Sequence, residues 1–225
     1  MRTVENHMKF KRRYNKKDML LGIKQYINMY HSRGLTVVQL NCDNKFACIE
    51  EDIRPTKLNK VAAGEHGGDA QRSGRTAKEG NRYHIPRNPY ERYPKVMVTG
   101  CVVKSTNDLN QLPLDDGRSK DLSPDTIVIC RSATNYNEVS KPNFGDYVQA
   151  YTVNRKTNTP KSRTVDAIAL YPSRNFQGGW IFMSLATGRE LRCYQWYILP
   201  VVEDVIDRVH SLAESQPKID GNFKV

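Results

Sequence analysis

The sequence has few cysteines and no long hydrophobic run, and each absence argues against a class of protein. Five cysteines, an odd number without CxxC spacing, indicate neither a disulfide framework nor a zinc site. No run of roughly 18 apolar residues occurs, and charged and polar residues follow Met1, so we expect neither a membrane span nor an ordinary signal peptide. The composition favours a reduced intracellular protein, in the nucleus or the cytoplasm.

Acidic residues are scarce in the first half of the chain. Residues 1–104 hold 21 Lys/Arg against 10 Asp/Glu, whereas residues 105–225 hold 14 of each, so the whole formal excess of +11 lies in the first half. A basic excess of this kind favours a polyanionic partner such as DNA or RNA. A solvated basic face is the alternative interpretation.

The first patterned region predicts a helix followed by a strand, the order typical of α/β layers. Asp18 can cap a helix with one apolar face, and Gly34 would end it. The β-branched run 35–40 then predicts a buried strand that leads to Asp43. An acid at a strand end is a common metal ligand, but two-metal chemistry needs further carboxylates. The alternative for Asp43 is a turn residue. The apolar face of the helix consists of Leu20, Ile23, Ile27 and Tyr30.

Residues 54–94 lack a clear period, because five glycines lie among polar residues and each glycine weakens a helix by about 1 kcal/mol relative to alanine. No helix is firmly predicted here. If the segment does coil, Arg72, Arg75, Lys78 and Arg82 would form a basic stripe; the alternative is a solvated charged loop. Three tyrosines interleaved with arginines would suit stacking on unpaired bases, although nearby prolines favour a packed connector. These tyrosines are Tyr83, Tyr90 and Tyr93.

The second half predicts a connector followed by strands. Residues 105–143 are punctuated by prolines and contain one short apolar piece, Thr126 to Ile129. Beyond residue 143, four or five short strands separated by glycine-containing turns predict a small β-barrel, closed by a helix from Val202 to Ala213. The strand runs are 147–153, 165–171, 180–185 and 191–198.

Three stretches carry a resemblance to a known family. The first is KDMLLGIKQYINMYHSRGLTVVQLNCDNKFACIEED (17–52), the second GEHGGDAQRSGRTAKEG (64–80), and the third RTVDAIALYPSRNFQGGWIFMSLATGRELRCYQWYILP (163–200). In this colinear order they resemble the integrase core of copia-like retrotransposon polyproteins and the small barrel that follows it. The resemblance implies a truncated, basic RNase H-like α/β core over residues 1–104, a connector over 105–143, a barrel with its closing helix over 144–213, and a tail over 214–225.

The family's chemistry is joining of element DNA to a target by Mg²⁺ or Mn²⁺ held between two Asp and one Glu. The resemblance matches Asp43 to the second Asp. The first Asp belongs to a strand before the first helix, and we expect it to be absent from this chain. The Glu position falls on Gln71, a neutral and therefore weaker ligand for a hard cation. Glu65 and Asp69 lie close by in sequence as substitutes, but Asp69 would face elsewhere on a helix.

The sequence therefore predicts an integrase-related chain that binds DNA without strand transfer. Lys78 falls where the family carries a basic residue close to the DNA ends, and Arg72, Arg75 and Arg82 would position phosphates near it. Family membership also implies a possible homo-oligomer. The alternative function is a non-enzymatic nucleic-acid or protein-binding module built on the C-terminal barrel.

Overall fold

The computed structural model describes residues 15–61, 68–113, 119–129, 141–152, 162–175 and 178–216. The fold mixes helices with two separate sheets, one parallel pair and one antiparallel sheet of five strands. The chain divides into two compact units: Met1–Lys78 with Leu109–Ala133, and Glu79–Asp108 with Thr134–Val225. Both units are discontinuous in sequence.

The first unit begins with the predicted helix and strand. Helix α1 spans Lys16–His31, and strands β1 (Gln39–Asp43) and β2 (Lys57–Val61) pair in parallel. The cap of α1 is Asn15, whose side-chain oxygen accepts from the Asp18 N–H at 2.8 Å, so the prediction of Asp18 as the cap is wrong. Strand β1 begins four residues later than the predicted run, and its residues alternate between exposed and half-buried.

A small core holds this unit together. Ile27 of α1 packs with two isoleucines from the short 3-10 turns between β1 and β2. Three of the four residues of the predicted apolar face of α1 are confirmed, because Ile27 is in this cluster and Leu20 and Ile23 pack against it. The two isoleucines are Ile49 and Ile53.

Three helices occur where the sequence predicted little regular structure. Helix α2 spans Gly68–His84, so the alternative of a solvated loop there is wrong. Helix α3 spans Lys95–Gln111 and enters the predicted connector, and the short helix α4 occupies Pro124–Ile129. The buried side chains of α3 include polar as well as apolar ones. The buried polar residues are Lys104, Ser105, Thr106, Asn107 and Asn110.

The second unit contains the predicted strands, as a five-stranded antiparallel sheet in the order β6-β5-β4-β3-β7. The predicted run 191–198 is two strands, separated by residues 194 and 195 and placed at opposite edges of the sheet. The bounds are β3 Tyr147–Tyr151, β4 Thr164–Pro172, β5 Trp180–Ser184, β6 Glu190–Cys193 and β7 Trp196–Leu199. Helix α5, Glu203–Glu214, follows and confirms the predicted C-terminal helix.

The sheet has apolar side chains on both faces. One face packs with Met97 and Cys101 of α3 and with Val205 and Val209 of α5. On the other face, the Trp196 ring of edge strand β7 lies 5.5 Å from the ring of Phe182 in β5, measured between centroids. Because two strands separate β7 from β5, the sheet must curl to allow this contact. Among the described residues, none of the helices is long and apolar enough to cross a membrane.

Candidate functional site

Asp43 lies at the carboxyl end of β1. In the parallel pair, Asp43 is in register with Val61, the last residue of β2, so both strands end at the same edge. Asn41 precedes it on the same exposed face, and the Asn41 side-chain oxygen accepts from Asn59 Nδ2 at 3.0 Å across the pair.

Within the described ranges, Asp43 has no carboxylate partner in a position to share a metal ion. Its side chain is 63% exposed and makes a long ion-pair contact of 3.8 Å to Lys45. The nearby acid Glu50 is bonded to Lys60 at 2.8 Å. No cluster of three His, Cys, Asp or Glu side chains with metal-binding geometry is found in the described part of the chain.

Cys42 precedes Asp43 on β1. Burial raises the pKa of Cys42, and the negative charges of Asp43 and Glu50 raise it further.

Gln71 is the fourth residue of α2, in its first turn. The structure thus places a helix at the position that the resemblance assigns to the third ligand, and Gln71 is a neutral residue there. Asp69 is also part of α2, whereas Glu65 lies outside the described residues.

The basic residues of α2 form an exposed arc. At about 100° per residue, Arg75, Lys78 and Arg82 fall within about 60° of one another around the helix, over about 10 Å of its length. All three are exposed, and none makes an ion pair with another described residue. Position 71 falls in the same arc, whereas position 72 lies about 60° outside it, so Arg72 is at the margin of the predicted stripe.

The opposite side of the C-terminal half of α2 is fixed to α3. Gly80 approaches Ser105 so closely that a Cβ built at position 80 would lie 2.9 Å from Ser105 Cβ. In the next position, Asn81 Oδ1 accepts from Ser105 Oγ at 2.8 Å. Asp108 then bonds His84 at 3.2 Å and Lys104 at 2.7 Å. These contacts hold the last turns of α2 against α3. Sequence reasoning missed them because no short motif marks a polar helix contact.

Two of the three interleaved tyrosines are packing residues, as the sequence favoured. Tyr90 is buried and its hydroxyl donates to the Gly145 carbonyl at 3.0 Å, and Tyr93 donates to the Ile85 carbonyl at 3.1 Å. Burial raises the pKa of Tyr93 to about 12. Tyr83 differs: its side chain is 60% exposed, and the Arg87 guanidinium lies 4.6 Å from its ring centroid.

These features are an exposed basic face on α2 and, described separately, one exposed acid at the carboxyl end of β1. Three cations at this spacing can contact neighbouring phosphates of a nucleic acid. One exposed carboxylate and a neutral amide do not make a two-metal centre. Comparison with known proteins gives no further assignment, since no protein-family model and no curated protein matches this chain.

Proposed function

We propose that this chain binds DNA through Arg75, Lys78 and Arg82 and does not catalyse strand transfer. The observation that carries the proposal is the exposed arc on α2, whose three cations make no ion pair with another described residue. Cations that hold no such partner lose little when they exchange water and counterions for phosphate oxygens. The basic excess of residues 1–104 adds long-range attraction for the same polyanion.

The resemblance to copia-like integrases supports this assignment through chain order. A helix, a strand ending in an acid, a parallel strand and then a basic helix follow one another over residues 16–84, the order that the resemblance to an RNase H-like integrase core implies. The order does not by itself imply catalysis, because function depends on the residues of the site.

The absence of catalysis follows from the ligands. Asp43 supplies one carboxylate, and Gln71 supplies no charge at the position of the Glu. A divalent metal that is held by one exposed carboxylate is not fixed well enough to activate a hydroxyl and stabilise a leaving oxygen together. Restoring the acid with Gln71→Glu still leaves the first Asp unmatched, so this change alone is not expected to produce joining.

DNA binding is tested by a salt titration of fluorescence anisotropy with a labelled duplex. Replacing Arg75, Lys78 and Arg82 by glutamine should lower affinity and reduce the slope of log K against log salt by about 2 to 3, one counterion release per lost phosphate contact. The matched control removes the same number of exposed charges from α1 and the turn after it, at Lys17, Lys24 and Arg33. Equal losses of DNA affinity in both triple variants would show that the basic charges attract DNA without a defined site, and would contradict a site on α2.

Catalysis is tested separately with the same purified chain. Incubation with a pair of oligonucleotides and Mn²⁺ should give no joined product, for the wild-type chain and for Gln71→Glu. Joined product that disappears in Asp43→Asn would contradict the proposed inactivity while leaving the DNA-binding result intact.

A further inference from the structure

The sheet of the second unit has an exposed end beyond the part that packs against the helices. Tyr147, Gln149 and Tyr151 alternate along β3 with Val148 and Ala150, which are fully buried on the opposite face. Tyr147 packs at the border of the core that α3 and α5 cover. Gln149 and Tyr151 lie further along the same face.

The neighbouring strands add an aromatic ring and an acid to this face. Gln149 is directly opposite Tyr197 of β7 on one side and Asp166 of β4 on the other. Residues paired in this way share a face, and two strand spacings separate Tyr197 from Asp166 by about 10 Å. Gln149 therefore lies between Tyr197 and Asp166 on this face, and we call these three residues together with Tyr151 the cup.

Two rings form one wall of this cup. The centroids of Tyr151 and Tyr197 are 5.9 Å apart with an interplanar angle of 61°, so the rings meet as a corner. Tyr197 is 63% exposed. Covering an aromatic ring is energetically favourable, so this exposed ring could contribute to binding a ligand. We call this pair the tyrosine corner.

Asp166 forms the opposite wall and its position is fixed. Its Oδ1 accepts from the Tyr147 hydroxyl at 2.8 Å, which orients the carboxylate within the same face. The side chain is exposed and charged, and burial together with this carboxylate raises the pKa of Tyr147. The cup thus combines aromatic faces, which carry negative quadrupoles, with a full negative charge.

We propose that this cup binds the cationic side chain of a lysine or arginine presented by a basic peptide. Both walls attract positive charge, and Gln149 can accept a hydrogen bond from the ammonium or guanidinium. The basic excess of residues 1–104 repels a basic peptide, and residues 105–225 carry no net charge, so attraction of such a peptide must come from local groups. This site is independent of the proposed DNA contact on α2.

The probe is a short blocked glycine–serine peptide with one central lysine, added to the full chain and followed by NMR chemical-shift changes. Matching peptides carry arginine or the neutral acetyl-lysine in the same place. The lysine and arginine peptides should bind and the acetyl-lysine peptide should bind at least about five-fold more weakly, because the charge provides the attraction. Equal binding of the neutral peptide would overturn the proposal.

Variants separate the site from the rest of the surface. Tyr197→Ala should weaken binding of the lysine peptide by about two- to five-fold, the size of one exposed cation–π contact. Tyr83→Ala should leave it unchanged, because Tyr83 is similarly exposed on α2 and lies outside the cup. Equal losses in both variants would overturn the assignment.

Asp166→Asn distinguishes a cationic ligand from a nucleic acid. Rings that bind lysine could also stack on bases, but the carboxylate favours a cation and repels phosphate. The substitution should therefore weaken the lysine peptide and leave binding of a single-stranded oligonucleotide unchanged. Stronger oligonucleotide binding in Asp166→Asn, lost again when Tyr197→Ala is added, would overturn the proposal in favour of a single-strand site.

Discussion

The two units differ in how much apolar surface holds them together. Among the described residues, the α1–β1–β2 cluster of the first unit has three buried isoleucines, and most of its other apolar members are only half-buried. The second unit has two clusters with eleven and seven buried residues on the two faces of one sheet. Since hydrophobic stabilisation follows buried apolar area, the second unit should be the more stable part of the chain.

The two units also differ in the exposed groups that they carry. Asp43 belongs to the first unit, whereas the basic arc is divided, with Arg75 and Lys78 in the first unit and Arg82 in the second. The second unit uses burial to fix positions, including those of the tyrosine corner. Four perturbations can break or sharpen this contrast.

The largest effect is expected from Gly145→Ala in the second unit. Gly145 has a φ of +89°, and a Cβ there would lie 1.8 Å from the side-chain oxygen of Asn88. The buried Tyr90 hydroxyl also donates to its carbonyl, so the segment cannot move without losing that bond. We expect the free energy of unfolding to fall by about 3 to 5 kcal/mol, or the chain to fail to fold.

Gly178→Ala is the matched control for Gly145→Ala. Its φ is +74°, but no heavy atom lies within 4 Å of the point that a Cβ would occupy. The alanine should therefore lower the free energy of unfolding by about 1 to 2 kcal/mol, the cost of a left-handed backbone conformation alone. Both values come from urea unfolding followed by tryptophan fluorescence. Equal losses would mean that the contact with Asn88 contributes nothing.

The next largest effect is expected from replacing one buried isoleucine in each unit. Ile49 and Ile168 are both 0% exposed, and an alanine at either position should cost about 2 to 5 kcal/mol. Both tryptophans, Trp180 and Trp196, belong to the second unit, so their fluorescence reports that unit alone. Ile168→Ala should lower the fluorescence midpoint, whereas Ile49→Ala should lower only an early transition in far-ultraviolet circular dichroism. A fluorescence midpoint that falls equally in Ile49→Ala would show one cooperative fold.

A smaller and reversible effect is expected at alkaline pH. Burial raises the pKa of Cys101 from an ordinary 9.0 to about 12 and that of Tyr171 from 10.0 to about 12. A group whose pKa is higher in the folded state than in the unfolded state stabilises the fold fully at a pH below its unfolded-state pKa. This stabilisation is lost as the pH rises towards the folded-state pKa. The second unit should therefore lose stability from about pH 9 to 12. Burial also raises the pKa of Cys193 from 9.0 in the same unit, so the double variant Cys101→Ala/Cys193→Ala should delay the onset to about pH 10, as read by tryptophan fluorescence. An unchanged onset in the double variant would contradict a role for these thiols.

The strands of the second unit could be predicted because their pattern has a local cause. Alternation and glycine-containing turns at Gly178 and Gly188, both with positive φ, specify hairpins without distant information. Helix α3 could not be predicted in this way. Its β-branched residues and Gly100 disfavour a helix, and its buried polar residues find their partners on α2 and on the loop at Arg174, far away in sequence.

The candidate site was predicted in part. Asp43 at a strand end and an exposed basic arc follow from local pattern once α2 exists. The existence of α2 did not follow, because its glycines count against a helix when tertiary contacts are unknown. The cup around Gln149 was missed because it joins three strands whose register no local pattern specifies.

Gly80→Ala tests this conflict between propensity and packing, with the smallest expected effect. Propensity alone predicts stabilisation by about 1 kcal/mol. The close approach to Ser105 predicts the reverse, because backbone and a short side chain on α3 must move to admit a Cβ at 2.9 Å. We expect a net loss of about 1 to 2 kcal/mol in the fluorescence transition. Gly22→Ala in α1, with nothing within 4 Å, is the control and should stabilise the circular-dichroism transition by about 0.5 to 1 kcal/mol. If both alanines stabilise, Gly80 is a defect in the helix; if only Gly22→Ala does, Gly80 is the residue that allows α2 to reach α3.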